Sequence, residues 1–236
     1  MKEITSILFS LLFLASLPST AQEQRWQLKP MVGMTLSSLV GDTAAPSENT
    51  PMAGWGCGAE AEYRLSDRWN LSLGALFTKR RAKSDVTVGY YDGQTFNITE
   101  SRYSIVFNQI DIPLMAHLHL TKGLTAGIGL QPTLLLSARQ NILKDGDFYV
   151  DADNAAYLSE SVVMSYKNRK FLEKGTSTDI KGRCRMLGMD VPVGVAYSFD
   201  RVELGLRYSF GLFNAIHGCN VQSRCLMLSL GYRFGI

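Results

Sequence analysis

Residues 187–210 read LGMDVPVGVAYSFDRVELGLRYSF, two alternating segments folded about Asp200-Arg201. In the first, Leu187, Met189, Val191, Val193, Val195, Tyr197 and Phe199 alternate with Gly188, Asp190, Pro192, Gly194, Ala196 and Ser198. In the second, Val202, Leu204, Leu206, Tyr208 and Phe210 alternate with Glu203, Gly205, Arg207 and Ser209. A period of two sends apolar side chains to one face of a strand and polar ones to the other. Sustained over about ten residues, with aromatics toward the ends, this is the pattern of a strand crossing a membrane inside a closed barrel.

Working outward, the same test finds six more segments. They begin at Trp26, Trp55, Trp69, Ile110, Ala126 and Leu226. In the Ile110 segment, Ile110, Ile112 and Leu114 hold one parity while Tyr103, Ile105 and Phe107 upstream hold the other, so a bulge near Asn108 is predicted. Pro132 within the Ala126 segment predicts a ladder interruption, since it has no N–H to donate. Ser66-Asp67-Arg68, Thr121-Lys122-Gly123 and Asp200-Arg201 make tight turns. The alternate connections, Val40 to Ala53, Arg80 to Arg102, Arg139 to Met186 and Gly211 to Ser223, are longer. The expectation is an all-β, transmembrane, antiparallel up-and-down barrel of about eight strands, with short periplasmic turns and long extracellular loops.

The aromatics decide which face meets lipid. Trp26, Tyr63, Trp69, Tyr197, Phe199, Tyr232 and Phe234 gather near the short-turn ends of the apolar face, and Trp55, Phe77, Tyr208 and Phe210 near the other ends. Two such girdles flanking an aliphatic band are what a bilayer selects. The opposite face carries Lys29, Glu60, Glu62, Arg64, Asp111, Asp190, Glu203, Arg207 and Arg233. An eight-stranded barrel is only wide enough for side chains, so these ions are expected to pair and fill the lumen.

The chain opens with Met1-Lys2-Glu3, an apolar run to Leu17 and small residues at Ser19 and Ala21. That reads as a secretory signal peptide over residues 1–21, leaving residues 22–236 as the barrel domain. Downstream there is no apolar run long enough for a membrane helix. A formal charge of +3 with no basic cluster longer than Lys79-Arg80-Arg81 excludes nucleic acid as a partner.

Candidates for chemistry are few. Cys57, Cys184, Cys219 and Cys225 lack metal-ligand spacing, and one disulfide among Cys184, Cys219 and Cys225 is the expected use of thiols after export. His117 and His119 share the inner face of one strand without a serine motif, and His217 lies in the last long connection. Lumen packing and a surface position are their ordinary readings. The acidic stretch from Asp145 to Asp153 departs from the spacing of a calcium loop. No cofactor or catalytic residue is predicted. An outer-membrane enzyme acting on lipid or peptide, a narrow transport barrel and a soluble ligand-binding barrel stand as alternatives.

The chain resembles the PorT-like outer-membrane β-barrels of Bacteroidetes. The resemblance rests on Ile110-Asp111-Ile112-Pro113-Leu114, Gly129-Leu130-Gln131-Pro132, Leu135-Leu136-Ser137-Ala138, Tyr208-Ser209-Phe210-Gly211-Leu212-Phe213-Asn214-Ala215-Ile216 and Gly231-Tyr232-Arg233-Phe234. It implies an integral, non-enzymatic barrel surrounded by outer-membrane lipids and inserted by the barrel assembly machinery. It also implies a secretion or surface protein as partner.

Overall fold

The structure, a computed structural model, describes residues 25–42, 47–91, 95–151 and 177–235, with side chains over 25–41, 50–83, 103–141 and 177–235. The expected signal peptide lies outside these residues. The strands are β1 (Trp26–Asp42), β2 (Ser47–Arg64), β3 (Trp69–Tyr91), β4 (Thr95–Asp111), β5 (Leu114–His119) and β6 (Leu124–Asp151). They continue with β7 (Ser177–Asp179), β8 (Leu187–Phe199), β9 (Val202–Asn214), β10 (Asn220–Tyr232) and β11 (Phe234–Gly235). A single 3-10 turn, Lys181–Arg183, is the only helical element among the described residues.

Each strand pairs antiparallel with its neighbour, and β10 returns to β1 from Met31↔Gly231 to Asp42↔Asn220, closing the sheet. Since β4 and β5 form one stave broken at Ile112-Pro113, and β11 continues β10, the barrel has eight staves. Closure pairs the first and last staves, which would otherwise be the open edges of the sheet. At the two-residue turn between β8 and β9, Asp200 takes a left-handed φ of 54°, which Asp tolerates better than most side chains.

The apolar parity faces outward. Val32, Met34, Leu73, Leu114, Ile128, Val195, Leu204 and Leu230 are exposed on the outer wall. Aromatic pairs sit at both ends of this band. Trp26–Tyr63, Tyr197–Phe199 and Tyr232–Phe234 stack at 4.8, 4.4 and 4.6 Å at the short-turn end, where Trp69 is also exposed. Trp55–Phe77 and Tyr208–Phe210, at 5.4 and 4.6 Å, sit at the other end.

One expectation about strand geometry changes and another is met. The bulge predicted near Asn108 of β4 lies instead on its partner: Asn108 pairs with Ser137 and Gln109 with Leu135, leaving Leu136 of β6 as the extra residue. Strand β4 therefore keeps one parity, and Ile105 and Phe107 point inward with Gln109 and Asp111, all four buried. The interruption predicted at Pro132 is found opposite the β4–β5 break, where the Ile112 N–H donates to the Pro132 carbonyl at 2.9 Å.

The long connections are also shorter than expected. Strands β3 and β4 pair as far as Tyr91↔Phe96, and β4 with β6 as far as Thr95↔Asp151, so most of 80–102 and part of 139–186 are strand. A tilted strand needs only about 9–11 residues to cross a bilayer, whereas β3 has 23 residues and β6 has 28. Their far halves stand clear of the membrane. Freed from a lipid face, the sequence there no longer alternates strictly, which hides the strands from a periodicity test.

Candidate functional site: the filled lumen

Strands place inward side chains two residues apart, so the lumen fills in storeys. Nearest the short turns lies an ionic cluster. Lys29 Nζ of β1 meets Glu62 Oε1 at 2.6 Å, Glu203 Oε1 at 2.8 Å and Glu60 Oε2 at 3.0 Å. Arg207 of β9 donates to the other oxygen of Glu60 at 2.6 Å, and Arg233 pairs with Glu203. Three cations face three carboxylates. Lys29 is 2% exposed and Glu60 is fully buried. Burying either alone would cost several kcal/mol, so each needs the others in place.

Above this cluster lies an apolar layer of Met31, Leu76 and Met227. A second ionic cluster follows. Arg80 of β3 spans Asp111 of β4 at 2.9 Å and Asp190 of β8 at 2.8 Å. Thr78 and Gln109 donate to Asp111 at 2.9 and 2.5 Å, and Gln131 donates to Asp190 at 3.4 Å. The long-loop end is then sealed by an apolar cap. Leu39, Ile105, Phe107, Leu135 and Val221 come from the wall, while Ile180 and Cys184 come from the segment between β7 and β8.

Most of the charges expected to line the lumen thus meet in two clusters. Arg64 does not: at the last position of β2 it leans past the rim, 55% exposed, and pairs with Asp67 of the adjacent turn at 2.6 Å. Arg80 and Thr78 were absent from the expected set. Their signal was in the sequence, because both continue the inward parity of Ser72, Gly74 and Leu76 beyond the point where the apolar outer face ends.

The expected disulfide is not formed. Cys184 is buried in the cap, Cys219 packs on its edge, Cys225 is buried on the inner face of β10, and Cys57 faces outward. Cys184 lies across Ile216 in an isolated bridge, and the Cys219 N–H donates to the Ile216 carbonyl at 3.4 Å in the turn beyond it, where both thiols stay free. Burial and the nearby Asp179 both push the Cys184 thiol up, keeping it protonated and unreactive.

The histidines are partnered inside the lower lumen. Ser72 Oγ lies 2.8 Å from His117 Nε2, and Thr125 Oγ1 lies 3.1 Å from His119 Nδ1. The cavity beside His117 is about 30 Å³. That is room for a few waters at most, so the Ser72–His117 pair has no space for an acyl or peptide substrate. His217 is exposed in the β9–β10 turn.

The profile of the outer membrane protein beta-barrel domain matches residues 20–217, most of the chain. The chain belongs to that family. Its place is therefore the outer membrane, where barrels keep short turns periplasmic and longer loops extracellular. Among solved structures, this outer-membrane barrel is similar to the attachment invasion locus protein Ail of Yersinia pestis, at 10% identity and a TM-score of 0.39, over 88% of this chain and 98% of that one. Neisserial surface protein A matches at 11% identity and a TM-score of 0.42, over 88% and 97%. An outer membrane channel of Pseudomonas putida F1 matches at 10% identity and a TM-score of 0.30, over 91% and 97%. No curated protein matches the sequence.

Proposed function

We propose that this chain is a non-enzymatic, non-conducting outer-membrane barrel that holds a β-sheet platform above the cell surface for a partner in envelope or secretion assembly. The observation that carries the reading is the lumen itself. Among the described residues two ionic clusters, the Met31–Leu76–Met227 layer and the apolar cap succeed one another along the axis. Fixed ion pairs hold the wall at one diameter, and apolar storeys make ion passage expensive. The paired far halves of β3, β4 and β6 supply the platform. The resemblance of the motifs quoted above to PorT-like barrels of Bacteroidetes favours secretion assembly among such roles.

Purified protein in planar bilayers should give no conductance steps above background at moderate voltage. Regular steps from the wild-type chain would sink the sealed reading and favour a narrow transport barrel. For the platform, deleting residues 86–101 should leave the folded, heat-modifiable band on gels while removing the function restored by the full chain in a deletion strain. Full complementation by the shortened chain would overturn it.

A further inference from the structure

A cavity of about 50 Å³ lies behind the extracellular rim, beside the apolar cap and directly over the Arg80 cluster. It forms where the β8–β9 ladder ends at Asp190↔Gly211, because the inward positions there, Gly188 and Gly211, carry no side chain. A Cβ on Gly188 would meet only the Thr133 side chain. One water takes about 10–15 Å³ of such space, so the cavity has room for roughly four or five heavy atoms.

The polar lining of this cavity is incomplete. Arg80 is 3% exposed, and its Nε has no hydrogen-bond partner among the described residues. Asp111 is satisfied at both oxygens, by Arg80 and Thr78 at Oδ2 and by Gln109 at Oδ1. Asp190 is not. Arg80 Nη1 and Gln131 Nε2 both donate to its Oδ2, and no described residue donates to Oδ1. At the mouth stands exposed Arg185, its guanidinium over the Phe213 ring at 5.2 Å, and no carboxylate among the described residues pairs with it. Phe213 shares the inward parity of Gly211, so ring and cation line the cavity together. Phe107 and Leu135 of the cap give it an apolar side.

Charge narrows the class of guest. Arg80 and Arg185 balance Asp111 and Asp190, so a guest of net charge would upset a group already neutral and largely buried. The open donor at Arg80, the uncovered cation at Arg185 and the free carboxylate oxygen of Asp190 call instead for both signs on one small molecule. We propose that this cavity binds a small α-amino acid from outside the cell. Its carboxylate accepts from Arg80 Nε and Arg185, its ammonium donates to Asp190 Oδ1, and a short side chain lies against Phe107 and Leu135. Bonds between ionised partners are the strong ones, so each end of the guest is specified. The cavity stops at the Arg80 cluster, above the Met31–Leu76–Met227 layer, so the guest is held and not conducted. Binding is therefore independent of both the conductance and the complementation tests above.

The test is equilibrium dialysis of the folded, full chain in neutral detergent against radiolabelled L-alanine. Saturable binding is expected, displaced by unlabelled L-alanine but not by N-acetyl-L-alanine or L-alaninamide, each of which lacks one charge. Arg185→Gln should weaken it about tenfold, as loss of one charge-assisted bond implies. Gly188→Leu fills the cavity and should abolish binding in chains that keep the heat-modifiable band; if that variant does not fold, exposed Arg185→Gln carries the test alone. Arg183→Gln, outside the cavity, should bind as the wild type does. Absence of saturable binding, equal displacement by either blocked form, undiminished binding by Arg185→Gln or by folded Gly188→Leu, or equal loss in Arg183→Gln would each overturn the proposal.

Discussion

The two halves of the lumen are filled by opposite means. The periplasmic half is an electrostatic lock: Lys29, Arg207 and Arg233 against Glu60, Glu62 and Glu203, drawn from the two ends of the sequence and meaningless in isolation. The extracellular half is closed as a soluble protein closes its core, with Phe107, Leu135 and Ile180 packed over the Arg80 cluster. A buried charge lacking its partner is costly, so the first half demands a single arrangement. Apolar packing is less directional, and so the second half can accept side chains from both wall and connecting segment.

Substitutions can break that contrast, with the largest effect expected in the lock. Glu60→Ala leaves Arg207 without its carboxylate inside a water-poor lumen and should destabilise the barrel by about 3–5 kcal/mol. The loss is read as a lower urea midpoint for the fast-migrating folded band. A change below that of any cap variant would mean that water, not Glu60, compensates Arg207. In the cap, Leu135→Ala removes packing without stranding a charge and should cost about 2–4 kcal/mol. Because the lock stays intact, the conductance should remain at background in that variant.

The contrast is sharpened by a smaller change. A Cβ on Gly74 would lie 2.7 Å from Glu60 Cγ and 3.0 Å from Pro113 Cγ, so Gly74→Ala must shift the lock and should cost about 1–3 kcal/mol. Absence of any shift in the urea midpoint would show that the Glu60 chain has slack. The smallest effect belongs to Arg64→Ala. Its exposed pair with Asp67 contributes at most about 0.5 kcal/mol, and a loss as large as that of Glu60→Ala would return Arg64 to the lumen.

Much of this was legible in the chain. Period two in Leu187–Phe199, Val202–Phe210 and Leu226–Phe234, with alternating short and long connections, predicts the barrel because a lipid-facing strand cannot hide polar side chains on its outer face. Parity also predicts which of Glu60, Asp111, Asp190 and Arg207 point inward. It fails where lipid stops imposing it, at Ile105 and Phe107 in the cap and beyond Arg81 in β3.

The sequence by itself determined the fold class, the outward face and the inward charges, since each follows from alternation along one strand. Only the tertiary structure decided that Lys29 gathers three glutamates and that Arg80 bridges Asp111 and Asp190. It alone placed Leu136 as the bulge. Those features depend on register and closure, through which residues over a hundred positions apart meet across the lumen. No local pattern records distances between strands that only the closed barrel brings together.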